Sequence, residues 1–167
     1  MSNKLAFDFT VDKENKTIVI KREFDAALPL VWDAYTKSEI LDRWWGPKPW
    51  KARTRSQDFR EGGSWHYSMI GPEGEEHWAV LNYITIENQK KFICEDAFAD
   101  AAGNVSTDLP QARWVVTFTD KGPVTLVESL ISFDDLAQLE KVIEMGMGDG
   151  LTMAMQNLDE LLPLLKK

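Results

Sequence analysis

The sequence has few residues that could form covalent or metal cross-links. It contains one cysteine, Cys94, so an intramolecular disulfide is impossible, and two histidines, His66 and His77. The motifs H-E-x-x-H, C-x-x-C, G-x-S-x-G and G-x-G-x-x-G are all absent. We therefore expect no metal, no cofactor and no catalytic residue of these familiar kinds.

Positive charge and long hydrophobic runs are also scarce. Lys and Arg number 19 against 27 Asp and Glu, which gives a formal net charge of −8 that repels nucleic acid and anionic lipid. No apolar run approaches the roughly 20 residues of a membrane span, and the N-terminus lacks a basic region followed by an apolar one. We expect a soluble, cytoplasmic, single-domain protein over residues 1–167 with neither nucleic acid nor membrane as a partner.

Tryptophan, by contrast, is abundant. The chain holds seven, and Trp32, Trp44, Trp45 and Trp50 fall within one short stretch. This number of rigid, amphipathic rings favours a cavity that is lined by tryptophan and holds an organic ligand. The alternative is that the rings pack the sheet against the helices as ordinary core.

Alternating apolar and polar residues predict eight strands, all antiparallel. LAFDFTV and TIVIKREF form an opening hairpin, and six more strands follow between Lys51 and Phe133. Gly62-Gly63 predicts a two-residue hairpin turn between KARTRSQDF and SWHYSMI. On the strand over 77–86 the two faces are too similar for the sequence to show which one points inward.

Two short helices are predicted after the opening hairpin. Pro29 fits the first turn of a helix through LVWDAYT, and Thr36 with Glu39 predicts a capping box for a second helix, EILDRWW. Trp44 and Trp45 would end that second helix.

The C-terminal part changes to a helical period. Asp134-Asp135 provide caps, and apolar residues recur at helical spacing up to Leu165. Because Gly146, Gly148 and Gly150 each disfavour a helix interior, we predict a break there, with a short helix near 135–145 and a longer one near 149–165.

The residues that carry the clearest resemblance are WWGP after a helix, the hairpin DFREGGSWHYSM and the segment MGMGDGLTMAMQNLDELL. In order and spacing they resemble the activator of heat-shock-protein-90 ATPase homologue-like family of the START-like (Bet v 1-like, SRPBCC) superfamily, from Thr17 to Leu162. The resemblance implies an α+β helix-grip fold, in which a curved antiparallel sheet wraps around a long C-terminal helix and two short helices follow the opening hairpin. It also implies a deep, largely apolar cavity, since members mostly bind hydrophobic small molecules.

Strand alternation indicates which residues would line such a cavity. Trp65, Tyr67 and Met69 share one face of SWHYSMI, and large residues also share one face of ARWVVTFT. The methionines around the glycine break would adapt to varied ligands, although ordinary core filling is the alternative for each. The predicted ligand-binding residues are Trp44, Trp45, Trp65, Tyr67, Met69, Trp114, Phe118 and Met147.

Few polar residues suggest chemistry. Glu95 and Asp96 lie within one predicted strand, so alternation sends one acid to each face, although a solvated acid on an edge or bulge is the alternative. His66 and His77 fall about three rungs apart, on opposite sides of the sheet, which disfavours a shared metal. Cys94 is best interpreted as a small buried residue.

Three functional hypotheses remain, of which a module that binds a hydrophobic or aromatic small molecule leads. The second is an enzyme similar to the polyketide cyclases and dehydratases of the superfamily, with proton transfer by Tyr67, Tyr83, His77 or Asp96. If two of these groups meet in the cavity, the enzyme hypothesis moves ahead of the binding module. The third is a protein-interaction role similar to that of the co-chaperone after which the family is named, which would require an exposed patch. The sequence does not indicate the ligand or the oligomeric state.

Overall fold

A computed structural model describes residue 5 and residues 7–166 of the chain. The predictions of the domain and of the first strand also include residues 1–4, 6 and 167, which lie outside the described residues. Eight strands form one antiparallel sheet in the order β1-β2-β8-β7-β6-β5-β4-β3. Their bounds are β1 Phe7–Asp12, β2 Thr17–Phe24, β3 Lys51–Gln57, β4 Ser64–Ile70, β5 Glu76–Glu87, β6 Lys91–Ala99, β7 Gln111–Asp120 and β8 Thr125–Phe133. The predicted antiparallel sheet and opening hairpin are confirmed.

Within the described residues, four helices complete the fold. They are α1 Leu28–Thr36, α2 Ser38–Leu41, α3 Leu136–Glu144 and α4 Met147–Leu165. The predicted break in the C-terminal helical stretch is confirmed, because Gly146 adopts a φ of 89°, a left-handed conformation that glycine tolerates best. Asp135 caps α3 as predicted by accepting a hydrogen bond from the Gln138 backbone N–H.

The second short helix differs from the prediction. It ends at Leu41, so Trp44 and Trp45 lie in the following turn. Gly46 shows why the chain turns here, since a Cβ at this position would lie 2.6 Å from the Ala52 backbone nitrogen. This close approach of two backbone segments leaves no room for a side chain at position 46.

The predicted capping box is also wrong. Thr36 is the last residue of α1, and its hydroxyl donates to the Trp32 carbonyl at 2.8 Å, one turn back in the same helix. The Ser38 N–H at the start of α2 donates instead to Gln57 Oε1 at 2.8 Å. A side chain from β3 therefore provides the cap that the local sequence was expected to supply.

The connection between β3 and β4 is longer than the predicted two-residue turn. The Asp58 N–H donates to the Ser64 carbonyl, which encloses residues 59–63 in the loop. Gly62 has a φ of 85°, and its N–H donates to the Tyr83 carbonyl on β5 at 2.9 Å. The glycines thus serve a loop that docks on a third strand, and the predicted pairing of β3 with β4 is nevertheless correct.

The pairing of β5 settles which of its faces points inward. Tyr67 pairs with Ala79 and Met69 with His77, so these residues lie on the same face of the sheet as the buried rings of β4. A bulge between Tyr83 and Thr85 shifts the register towards the end of the strand.

Helix α4 packs its apolar stripe on the inner face of the sheet. Ala154, Met155, Leu158 and Leu161 are buried in one hydrophobic cluster with strand residues such as Ile131.

Arg22 on β2 forms an ion pair with Asp159 of α4. Its guanidinium also lies 5.1 Å from the centroid of the Phe24 ring.

In the described residues, no helix is both long and apolar enough to cross a membrane.

Candidate ligand-binding cavity

A cavity of about 500 Å³ lies between the inner face of β4–β7 and the junction of α3 with α4. The turn that follows α2 forms a third side. The side chains that border the space are mostly aromatic, aliphatic or thioether groups: Trp45, Pro47, Trp50, Tyr67, Met69, Ala79, Phe98, Ala112, Phe133, Val142, Met145, Met147 and Leu151. Besides the hydroxyl of Tyr67, the polar side chains among its bordering residues include His77, Asp96 and Gln111.

Four of the eight predicted ligand-binding residues border this cavity. Tyr67 and Met69 come from β4, Trp45 from the turn after α2, and Met147 from the first turn of α4. These residues lie far apart in the sequence, and the fold brings them to one space. Their contact with a ligand remains a prediction.

The other four predicted residues lie outside the cavity wall. Trp65 stacks on Tyr67 with ring centroids 4.0 Å apart. The ring centroid of Trp114 lies 6.2 Å from that of Trp45. Trp44 is 1% exposed and donates from its indole nitrogen to the Ala34 carbonyl at 2.9 Å. The burial of these three rings favours the alternative interpretation, in which they pack as ordinary core.

Phe118, the last of these four, lies at the far end of the inner face. Its ring contacts Trp32 edge-on, with centroids 5.0 Å apart, beneath α1. Strand parity correctly placed it on the inner face, where it is 6% exposed. Parity does not report position along the strand, which decides whether an inward residue meets core or cavity.

Asp96 is the acidic group of the cavity. It lies on β6, inside the sheet, and its carboxylate accepts hydrogen bonds from Trp114 Nε1 at 2.9 Å and from the Ala112 N–H at 3.1 Å. Burial raises its pKa to about 6, although both hydrogen bonds act in the opposite direction. Glu95 faces the other side and pairs with Arg113 at 3.3 Å, so the predicted division of the two acids is confirmed.

Tyr67 is the second polar group at the cavity. Its hydroxyl oxygen accepts a hydrogen bond from Trp45 Nε1 at 3.0 Å. Burial raises its pKa above the usual range, and the nearby Asp96 carboxylate adds to this effect. In the described part of the chain nothing accepts the hydroxyl hydrogen, which is therefore free to bond to a ligand.

The two histidines lie on opposite sides of the sheet, as predicted. His77 is exposed at the cavity, with its ring centroid 5.4 Å from that of Trp50. His66 lies on the outer face, where its Nε2 is 3.0 Å from the Asp100 carbonyl oxygen. Among the residues described, no group of three or more His, Cys, Asp and Glu side chains could hold a metal ion.

Two further candidates lie away from the cavity. Tyr83 is 3% exposed and is surrounded by core rings such as Phe59, at a centroid distance of 4.8 Å. Cys94 is 1% exposed, and burial raises the pKa of its thiol, which disfavours the reactive thiolate. The interpretation of Cys94 as a small buried residue is confirmed.

A second cleft, of about 440 Å³, lies beside α1 and α2. Asp33, Lys37, Glu39 and Asn88 contribute charged or amide groups to its lining. This polar lining fits an apolar ligand less well than the cavity at Asp96 does.

Comparisons with known proteins agree with this architecture. The sequence profile of the activator of Hsp90 ATPase homolog 1-like proteins matches residues 25–163. The chain belongs to this family. The match includes α1 to α3, α4 as far as Pro163, and every residue that borders the cavity.

Solved structures of similar proteins share the fold. A crystal structure from Mycobacterium smegmatis is 30% identical with a TM-score of 0.86, covering 95% of this chain and 97% of that one. A solution structure from Arthrobacter aurescens is also 30% identical, with a TM-score of 0.88 and coverages of 93% and 91%. An AHSA1 protein from Silicibacter pomeroyi, at 16% identity, shares the fold with a TM-score of 0.69 over 89% and 98% of the two chains. No curated protein matches this chain.

Proposed function

We propose that this protein binds a hydrophobic or aromatic small molecule in the cavity between β4–β7 and the α3–α4 junction. The observation that carries the proposal is the cavity itself, because about 500 Å³ lies open beside side chains that are mostly apolar. This volume falls within the range of roughly 300–1,000 Å³ that is usual for small-molecule sites.

The composition of the wall supports the same function. Rigid rings such as Trp45 and Trp50 border the cavity together with the flexible thioethers of Met145 and Met147. Rings provide large contact areas, and thioethers adapt to the shape of what they contact. A wall of this kind favours binding of an apolar body over catalysis by a dense set of polar groups.

The test uses N-phenyl-1-naphthylamine, a neutral apolar probe whose fluorescence rises in an apolar site. We expect saturable binding to the wild-type protein at a single site. Ala79→Phe adds a ring inside the cavity and is expected to weaken binding at least tenfold.

Asn82→Phe is the matched control. Asn82 lies on the same strand but is exposed on its opposite face, so it adds the same ring outside the cavity. We expect this variant to bind the probe as the wild type does. Equal weakening by both variants, or no saturable binding to the wild type, would contradict the proposal.

A second candidate function is proton transfer on the bound molecule. It is favoured by the presence of Tyr67, His77 and Asp96 at one cavity. However, no hydrogen bond joins any two of these three groups in the described structure, so they border one cavity without the direct contact that would move the enzyme hypothesis ahead. Binding therefore remains the leading function, and turnover of a bound ligand that stops in Asp96→Asn would establish the second.

A further inference from the structure

The Asp96 carboxylate faces the cavity without a positively charged partner. Its two hydrogen bonds come from neutral donors, the indole of Trp114 and the backbone N–H of Ala112. The described cavity wall includes neither Lys nor Arg, and its single basic side chain is His77, at the exposed end. Asp96 is half-buried, and a carboxylate that is partly withdrawn from water without a cationic partner is costly. A ligand of opposite charge reduces that cost.

We propose that the ligand carries a protonated amine or quaternary ammonium group, which binds against the Asp96 carboxylate while its apolar body occupies the rest of the cavity. This inference rests on the proposed function and adds the chemical class of the ligand.

The aromatic wall is suited to the same charge. Trp45, Tyr67 and Phe98 border the space that Asp96 faces. Aromatic rings attract organic cations through their negative faces, and the attraction strengthens where water is excluded. A carboxylate combined with several rings therefore favours an ammonium group over a neutral or anionic one.

The ionisation of Asp96 agrees with this assignment. Its pKa is raised to about 6 by burial, so the carboxylate is mostly ionised at neutral pH but poorly stabilised. A bound cation would stabilise the ionised form and lower this pKa.

The other charges near the site do not oppose a cation. Tyr67 on β4 and Cys94 on β6 are the titratable groups that interact with Asp96, and His77 on β5 borders the same cavity at its exposed end. The wall residues from α3 and α4 carry no charge. The net charge of −8 also attracts cations towards the protein as a whole.

The test compares three compounds with one naphthyl body and different charges: 2-(1-naphthyl)ethylammonium, 2-(1-naphthyl)ethanol and 1-naphthylacetate. Each is titrated against bound N-phenyl-1-naphthylamine at pH 7.5. We expect the ammonium compound to displace the probe at a concentration at least tenfold lower than the alcohol, and the carboxylate to be the weakest.

Two variants locate the effect. Asp96→Asn is expected to bind the ammonium compound and the alcohol equally well. Glu95→Gln removes the same charge from the opposite face of β6 and is expected to keep the tenfold preference. Preserved affinity for the neutral probe shows that the Asp96→Asn cavity is intact.

A pH series on the wild type requires no change at Asp96. Lowering the pH from 7.5 to 5 protonates the carboxylate, so the preference for the ammonium compound should fall several-fold while the alcohol is little affected. His77 is the basic side chain at the cavity, so the series is repeated in His77→Gln and should give the same fall.

The outcomes separate this inference from the proposed function. Equal affinity for the ammonium compound and the alcohol, or tightest binding of the carboxylate, would overturn the inference while probe binding upheld the function. A preference that persists in Asp96→Asn would also overturn it. Failure of the neutral probe to bind the wild type would remove both.

Discussion

The two ends of the sheet's inner face have similar aromatic content but different packing. In the filled half, beneath α1, Trp32, Phe92 and Phe118 contact one another with centroids 5.0–6.1 Å apart. In the open half, beneath the α3–α4 junction, rings such as Trp45 and Trp50 border a cavity of about 500 Å³. Aromatic content alone therefore does not identify a binding site.

The covering elements explain the difference. Helix α1 places Trp32 and Tyr35 directly onto the strand rings, 5.0 Å and 5.4 Å from Phe118. The α3–α4 junction instead presents Gly146 and Gly150, which have no side chain to insert, to the open half. These two glycines leave space unfilled, although Met145, Met147 and Leu151 of the same junction also border the cavity.

The largest expected difference between the halves concerns stability. Phe118→Ala in the filled half should lower the free energy of unfolding by about 3–5 kcal/mol, because the surrounding rings cannot close the hole. Met69→Ala in the open half should cost less than about 2 kcal/mol, because Met69 already borders a space and has fewer contacts to lose. Urea unfolding monitored by circular dichroism measures both changes, and equal losses would show that the open half is also packed core.

A smaller effect concerns pH. The pKa of Asp96 is about 6 in the folded protein against 3.8 as the reference value, so the folded state binds the proton more tightly between these values. The protonated form of Asp96 therefore adds to the free energy of unfolding below about pH 4. This contribution is lost as the pH rises through about 6. The free energy of unfolding of Asp96→Asn, relative to wild type, should therefore rise by about 2 kcal/mol between pH 4 and pH 7.

Glu95→Gln is the control for this pH dependence. Glu95 is exposed and paired with Arg113 on the other face of the sheet, so its difference from wild type should change little over the same interval. A constant difference between Asp96→Asn and wild type across the range would contradict a buried, weakly stabilised carboxylate.

Strand parity was the most informative property of the sequence. It placed Tyr67 and Met69 on the inner face and sent Glu95 and Asp96 to opposite faces, because side chains alternate along any strand. It could not separate Trp65, which packs in the core, from Tyr67, which borders the cavity. That distinction depends on where the helices lie over each strand.

The errors in the local predictions arose from long-range contacts. Gln57 caps α2 from 19 residues away, and the glycine loop after β3 docks on Tyr83 of β5. Phe133 was not predicted as a cavity residue because only the pairing of β6, β7 and β8 brings it near Asp96. Phe98 lies two residues from Asp96 on β6, so strand alternation could have placed it on the same face. Local patterns carry no information about such partners.

The most direct test of the open half as a binding site is an NMR titration of protein labelled at the methionine methyl groups. Met69, Met145 and Met147 border the cavity. Met155 is on the buried side of α4, where it is 5% exposed within the core. On addition of N-phenyl-1-naphthylamine, the signals of the three cavity methionines should shift together and saturate, while that of Met155 stays in place. Saturable binding that shifts Met155 and leaves the three cavity signals unchanged would contradict the account.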